Sequence, residues 1–385
     1  AAGRGGGAVQ ISAAGTVTLS GLITARGGDA TDNLSAGGAG GSVYITCATF
    51  GGSASGLIRV DGGNATVLQL SGGGGGGRLA VNYTSLVAEG AVRFSAAPAS
   101  RSWAWGEPDH RWHDVPTAGT VWFPDARLLA ETLDDARFAG AVNLRGIAAW
   151  APASLTVSNA SVTFGEDGVV LSVTNDVRVE AGGTLAIGSF GASATSTFHI
   201  GGSLLLTNGG ALYVQSGATG ATAGAFGALL SVTNALVVGP GSWLHPACQW
   251  TNGGAPLIVA GSLLVETNGG FNANGKGYRA ASGPGSRGIA GTYTAGGSHG
   301  GRGGGNPGEG NLTVATATYG SVSNPIAAGS GGAGHGNHYW KSGSGGGVIR
   351  LEIAGAATIR GALSAHGARG TDQYNGGGAG GAVFL

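Results

Sequence analysis

The chain has 385 residues, 83 of them glycine, and its 19 basic and 19 acidic side chains leave no net charge. The hydrophobic fraction of 42% is too high for a disordered chain, and the glycines follow no Gly-X-Y period, which excludes collagen. Zero net charge argues against a nucleic-acid partner, and no apolar run approaches the ~20 residues of a membrane span, so membrane insertion is not expected.

Residues 1–94 contain a repeated unit. SGLITARGG at 20–28 returns as SGLIRVDGG at 55–63. GGSVYI at 40–45 returns as GGRLAV at 76–81. Short apolar runs between glycine clusters at this spacing predict an all-β fold, a parallel β-helix (solenoid) with glycine-rich corners. Alternation predicts that the following side chains face inward: Val9, Ile11, Val43, Ile45, Leu79, Val81, Ile349, Leu351, Val383 and Leu385.

Residues 95–150 interrupt the pattern with an irregular excursion rich in tryptophan and histidine. One interpretation is a loop whose aromatic rings pack against the side of the rod, and another is that exposed rings stack on sugars. The candidate glycan contacts are Trp103, Trp105, Trp112 and Trp122. His110, His113 and Asp114 lie close together in sequence, but no further ligands match them, so we predict no metal site.

Residues 151–273 are predicted to form regular coils. LSVTNDVRVEAGGTL at 171–185 returns as LSVTNALVVGPGSWL at 230–244, an offset of 59 residues. Two similar strand blocks inside this unit predict coils of about 28–31 residues. TNGG at 207–210, 251–254 and 267–270 is typical of corners.

Residues 274–344 are predicted to be glycine-rich loops. They include GPGSRG at 283–288, which satisfies the pattern G-x-G-x-x-G. A dinucleotide site needs a helix after this motif, and the sequence that follows, IAGTYTAGGSHGGRGGG, is not compatible with a helix. We therefore predict no cofactor.

Residues 345–385 form a coil that repeats residues 5–45. The two segments align without a gap over 41 positions at a constant offset of 340, and 17 positions are identical. The chain is therefore one full period plus about one further turn. Because the chain opens at Ala1 and has no methionine, we expect that a signal peptide has been removed or that the chain is part of a longer product.

GGAGGSVYITCATFGGSASGLIRVDGGN at 37–64 resembles the glycine-rich β-solenoid repeats of very large secreted or surface-displayed bacterial proteins. SLTVSNASVTFG at 154–165 and GGSLLLTNGGALYV at 201–214 resemble coils of autotransporter passenger domains. The resemblance implies a parallel β-helix in the extracellular space or at the cell surface. Asn-x-Ser/Thr sequons are candidate glycosylation sites, here Asn33, Asn64, Asn82, Asn159 and Asn311.

Both ends of the chain are predicted to be assembly edges, because neither carries a polar or helical cap. An uncapped solenoid joins end to end, and a head-to-tail contact that does not close builds a filament. We therefore expect a structural subunit, or one period, of an extracellular filament whose partner is another copy of itself. The predicted edge residues are Val9, Ile11, Val383, Phe384 and Leu385.

The sequence also allows two alternative functions. The first is a surface adhesin or stalk that binds glycans through residues 95–150. The second, less favoured, is a polysaccharide-active β-helix enzyme, which needs a cluster of carboxylates and a basic group. Lysine occurs only twice, and Glu131, Asp134 and Asp135 form the only dense acidic group. Since a fold alone carries no activity, we predict that the chain is not an enzyme.

Overall fold

The chain is all-β in a computed structural model. The structure describes residues 1–32, 35–65, 72–87, 92–99, 117–219, 224–290, 294–305, 316–336, 341–371 and 375–385. Among the described residues, helical structure amounts to 2% and includes the 3-10 helix Ala126–Leu128, which is capped by Asp125. The Asp125 carboxylate accepts a hydrogen bond from the Arg127 backbone N–H at 2.9 Å.

The described residues form 28 strands, numbered in chain order. The first nine are β1 (Ala8–Leu19), β2 (Leu22–Thr24), β3 (Ser42–Gly52), β4 (Leu57–Arg59), β5 (Arg78–Leu86), β6 (Arg93–Ser95), β7 (Thr120–Trp122), β8 (Thr132–Leu133) and β9 (Val142–Arg145). The next ten are β10 (Ala149–Trp150), β11 (Leu155–Ser158), β12 (Ser161–Phe164), β13 (Val170–Val173), β14 (Val177–Glu180), β15 (Thr184–Ile187), β16 (Ser196–Ile200), β17 (Leu204–Leu206), β18 (Ala211–Gln215) and β19 (Ala228–Val238). The last nine are β20 (Trp243–Ala247), β21 (Pro256–Val265), β22 (Gly270–Asn272), β23 (Ile289–Ala290), β24 (Gly334–His335), β25 (Val348–Ile353), β26 (Ala357–Ile359), β27 (Ala362–Ser364) and β28 (Ala382–Phe384).

These strands form two large sheets and two small ones. The first sheet has the order β1-β3-β5-β7-β9-β12-β15-β18-β20-β22-β27. The second has the order β10-β13-β16-β19-β17-β14-β11-β8, with β21 beside β19, β25 and β26 beside β21, and β28 beside β25. The small sheets are β2-β4-β6 and β23-β24. Every ladder between described strands is parallel, which confirms the predicted parallel stacking.

Neighbouring strands of the first sheet are separated by unequal lengths of chain. We call the sequence separation between two paired residues on such strands a return. Ala8 pairs with Ser42 and Ser42 pairs with Arg78, so the first two returns take 34 and 36 residues. The return from Gly270 to its partner Ala362 takes 92 residues. The spacing of the strands in the sheet is therefore independent of the length of chain between them.

The predicted 59-residue unit is two returns of the first sheet. Thr184 pairs with Ala211, 27 residues later, and Ala211 pairs with Trp243, 32 residues later. The chain turns before β18 with positive φ at Asn208 (49°) and Gly209 (80°), so TNGG at this position forms a turn between two strands.

The interior is formed by apolar side chains that alternate along the strands. Six of the residues predicted to face inward are at most 1% exposed, namely Val43, Ile45, Leu79, Val81, Ile349 and Leu351. Val9 and Ile11 are half-buried and pack against this core. Val383 and Leu385 are exposed, so the prediction of burial is wrong for these two residues. Val383 pairs with buried Ile349, but no described strand covers it from the other side.

Glycine-rich segments between the strands form a layer in which backbones touch directly. Gly38 N donates a hydrogen bond to Gly28 O at 2.9 Å, and Gly63 N donates to Gly38 O at 2.8 Å. Gly74 N continues the series by donating to Gly63 O at 2.9 Å. A Cβ atom at Gly63 would lie 1.9 Å from Gly28 O. Glycine is therefore required in this layer because only a hydrogen fits between the two backbones.

The two copies of the 41-residue repeat have the same backbone pairing. Val9 pairs with Val43, and the residues 340 positions later, Ile349 and Val383, also pair with each other. Corresponding hydrogen bonds run from Gly6 N to Ala39 O (2.9 Å) and Gly346 N to Ala379 O (2.8 Å), and from Gly41 N to Ala25 O (2.7 Å) and Gly381 N to Ala365 O (2.7 Å). The repeat that the sequence predicted is therefore also a structural repeat.

Candidate assembly surfaces

Strand β1 forms one outer edge of the first sheet. Among the described residues it pairs with β3 alone. Strand β2, which follows β1 in the chain, has Leu22 with 61% of its surface exposed. The N–H and C=O groups on the outer side of β1 have no strand partner within the described ranges, so this edge is able to accept another strand.

Strands β26, β27 and β28 form the opposite outer layer. Each of them pairs on one side only within the part of the chain that is described. Val383 is 42% exposed and Leu385 is 61% exposed, while Phe384 between them is half-buried. The predicted edge residues therefore lie on two separate layers, with the inner strands between them.

One hydrogen bond fixes which groups of β28 face outward. Ala382 N donates to Gly347 O at 3.1 Å, so the backbone groups of Ala382 face β25. Backbone groups of successive residues in a strand alternate in direction, so those of Val383 face away from β25. Val383 thus offers one donor and one acceptor on the free edge.

A cavity of about 690 Å³ lies beside this edge. Its lining comes from residues 379–383 on one side and from residues within 297–302 and 318–325 on the other. The His299 Nδ1 atom lies 2.9 Å from Gly380 O, and the His299 ring packs on Tyr319 with centroids 4.9 Å apart. Burial raises the pKa of Tyr319 to about 12, so its hydroxyl stays neutral. The sequence predicted only glycine-rich loops here, because the residues of this wall follow no repeat.

Trp122 is the one candidate glycan contact within the described residues. It is half-buried on β7, and a Cβ atom at Gly146 would lie 2.6 Å from its Nε1 atom. This close contact favours packing against the chain at Trp122. The other candidates of the excursion lie outside the described residues, namely Trp103, Trp105, Trp112, His110, His113 and Asp114.

Carboxylates of the chain accept hydrogen bonds from the backbone of later turns. Glu131 accepts from Ser154 Oγ at 2.7 Å and from Ala153 N at 2.9 Å. Asp167 accepts from Ser193 Oγ at 2.6 Å and from Ser193 N at 3.0 Å. These serine hydroxyls lower the pKa of both carboxyl groups. Within the described ranges, no group of three or more His, Cys, Asp or Glu side chains is placed to hold a metal.

Three of the five sequons lie within the described residues. Asn82 is exposed on β5, and Asn159 is exposed in a turn with a φ of 51°. Asn64 is half-buried, and its backbone N–H donates to Asp29 Oδ1 at 2.5 Å. Asn82 and Asn159 are therefore the accessible candidates. Asn33 and Asn311 lie outside the described residues.

His245 is a half-buried titratable group on the first sheet. Its ring stacks on Tyr213 of the neighbouring strand, with centroids 4.3 Å apart. Burial lowers the pKa of His245 to about 3, and the charge of Lys276 acts in the same direction. The imidazole is therefore neutral in the folded chain at physiological pH.

Acid is expected to destabilise the chain through His245. The unfolded imidazole takes up a proton near its ordinary pKa of 6.5, whereas the folded one does so only near 3. The stabilisation is complete above pH 6.5 and is lost as the pH falls toward 3, by about 2 kcal/mol at pH 5. Urea unfolding of the wild type and His245→Phe at pH 7.5 and pH 5 tests this, since the variant should lose less stability. Equal losses in both proteins would contradict it.

Comparison of the chain with known protein families, with curated proteins and with solved structures finds no match. Among the described residues there is no helix of the length and apolar character needed to cross a membrane. The candidate surfaces therefore rest on the geometry of the chain itself.

Proposed function

We propose that the chain is a parallel β-solenoid that serves as a structural subunit, or as one period, of an extracellular filament. Successive periods join head to tail, and the outer layers at β1 and at β26–β28 are the two edges at which the parallel stack continues. The partner is then a second copy of the chain or the next period of one longer polypeptide. The role is mechanical, and no catalytic group is assigned.

The shared register of the two repeat copies is the observation that carries this proposal. By the offset of 340, β25 and β26 correspond to the two parts of β1. Both pair with β21, and β25 also pairs with β28, whereas β1 pairs on one side only within the described chain. Because the equivalents of β1 pair with β21, the unpaired side of β1 fits against a strand equivalent to β21 in the preceding period. This pairing continues the parallel stack.

The apolar side chains of the two outer layers support the same proposal. Leu22 lies at one end, and Ile359, Val383 and Leu385 lie at the other, each of them exposed. Full burial of such a side chain contributes about 1.5–3 kcal/mol. A sheet edge that combines unpaired backbone groups with exposed apolar side chains favours pairing with another strand.

The small number of charges supports a weakly interacting rod outside the cell. Charged residues make up 10% of the chain. Among them, Glu131 and Asp167 already accept hydrogen bonds from the backbone. These groups hold neighbouring turns together and leave few charges for an electrostatic partner.

Proline at Val383 is expected to weaken assembly and to spare the fold. The substitution removes the N–H on the free edge and leaves the bond from Ala382 N to Gly347 O in place. The protein concentration needed for assembly should rise at least about tenfold, which corresponds to about 1.4 kcal/mol. Sedimentation velocity and electron microscopy measure assembly, and circular dichroism measures the fold.

Val383→Thr is the matched control, because threonine keeps the N–H group and the β-branched shape. It should assemble like the wild type, within about a factor of three. The proposal fails if the wild-type chain stays monomeric at high concentration with both outer layers exposed to solvent.

A further inference from the structure

We infer that the cavity beside β28 is the docking site for a glycine-rich strand with the sequence of residues 72–83, GGGGGGRLAVNY, supplied by another copy of the repeat. Because β5 pairs with both β3 and β7 within one copy, the strand becomes available in a copy where β28 takes the place of β3. The inference rests on the proposed function and names the strand that occupies one of its two ends. The docked strand is equivalent in the repeat to β5 (a β5-type strand) and not to β1 (a β1-type strand). In the same sense, β28 is a β3-type strand.

The cavity lies over the edge of β28 and not over one of its faces. Successive side chains of a strand point to opposite faces. Ala382 is buried beside Val348, while Val383 is exposed and pairs with Ile349 of the main core. Both Ala382 and Val383 line the cavity, so the space between them is the edge itself. An extended peptide that enters here adds a strand to the sheet.

The first repeat copy shows which strand belongs at this edge. Residues 379–383 of the cavity correspond to residues 39–43 by the offset of 340. There, Gly40 N donates to Gly75 O at 2.9 Å, and Arg78 N donates to Gly41 O at 2.9 Å. A strand of the β5 type thus covers the position that is open beside β28.

The matching groups of the second copy are free within the described chain. Gly380 N and Gly381 O correspond to Gly40 N and Gly41 O, and neither makes a backbone hydrogen bond with another described residue. The carbonyl of Gly380 accepts from His299 Nδ1, which leaves its N–H available for a strand. The edge therefore presents a donor and an acceptor in the order that β5 uses.

Glycine in the incoming strand provides the selectivity of the site. In the first copy, a Cβ atom at Gly77 would lie 2.1 Å from Gly41 O. The corresponding carbonyl in the cavity is that of Gly381, so a side chain at this point of the incoming strand prevents the approach. At Gly72 a Cβ atom would meet nothing within 4 Å, so this position tolerates alanine.

A strand of the β1 type is disfavoured because the chain places such strands elsewhere. The β1-type segments β25 and β26 pair with β21 on one side, and β25 pairs with the β3-type strand β28 on the other. The outer side of the β3-type strand is taken by β5 in the first copy. Each contact in the inference is therefore one that this chain already makes.

The test uses the full chain with Gln10→Pro, which blocks the outer side of β1 and leaves β28 open. Ser42 N donates to Gly7 O at 2.9 Å, so the backbone groups of Gln10 face away from β3. Fluorescence anisotropy follows the binding of labelled peptides with the sequences of residues 72–83 and 4–15. The first peptide should bind saturably, and its Gly77→Ala form should bind at least about tenfold more weakly. Its Gly72→Ala form, the matched control, should bind like the parent peptide.

Adding Val383→Pro to the same chain should abolish binding of the 72–83 peptide, because the edge donor is lost. The inference is overturned if the 72–83 peptide does not bind, or if the 4–15 peptide binds equally well or more tightly. Filaments of the wild-type chain without binding of the 72–83 peptide would refute the inference and keep the proposed function. Selective peptide binding without filaments would keep the inference and refute the proposed function.

Discussion

Replacing Gly74 by alanine is expected to destabilise the chain by about 3 kcal/mol or more, whereas alanine at Gly72 should change its stability by less than about 0.5 kcal/mol. A Cβ atom at Gly74 would lie 2.0 Å from Gly38 O, and one at Gly72 would meet nothing within 4 Å. The Gly38 carbonyl accepts the N–H of Gly63, so it cannot retreat without losing that bond. The clash therefore disrupts the glycine layer and not one residue alone.

The two glycines form a matched pair for this measurement. They lie two positions apart in one glycine run, and neither has a positive φ, so the substitutions differ in space and not in backbone strain. Urea unfolding followed by circular dichroism should show a lower midpoint for Gly74→Ala only. Similar midpoints for the two variants would show that the backbones in this layer are not in contact.

Replacing Phe94 by alanine is expected to cost about 3–5 kcal/mol of unfolding free energy. The Phe94 side chain is fully buried, and its ring lies 5.0 Å from that of Phe123 and 6.5 Å from that of Phe138 between centroids. Alanine leaves a cavity lined by these two rings, which the surrounding strands cannot close because their backbones are paired.

Phe94→Leu is the control for the aromatic cluster, and it should cost about 1–2 kcal/mol because it keeps most of the buried volume. Chemical denaturation of the two variants and the wild type provides the comparison. A loss below about 1 kcal/mol for the alanine variant would mean that Phe94 is not at the centre of the core.

The strand pairing was largely predictable from the sequence because the repeats report it directly. Residues related by the offset of 340 make equivalent pairs in the structure, Val9 with Val43 and Ile349 with Val383. The offset of 59 returns as two ladder steps that begin at Thr184. A parallel stack places equivalent residues one above the other, so sequence periods become spatial periods.

The exposure of Val383 was not predictable from alternation alone. Alternation assigns a side chain to a face of its strand, but burial also needs a further strand stacked over it.

The cavity wall around His299 and Tyr319 was not predicted, for a different reason. It comes from segments without periodicity, which meet the edge of β28 only through tertiary packing. The local sequence around His299 and Tyr319 contains no repeat or motif that indicates their contact with β28.

The unequal returns of the first sheet bear on how such a chain diversifies. The longest return, from Gly270 to Ala362, takes 92 residues, yet its two strands stay in register. Closing a flexible loop costs only about 0.6 kcal/mol more for each doubling of its length. Insertions between strands are therefore nearly neutral for the stack, and evolution can add surface modules there without redesigning the core.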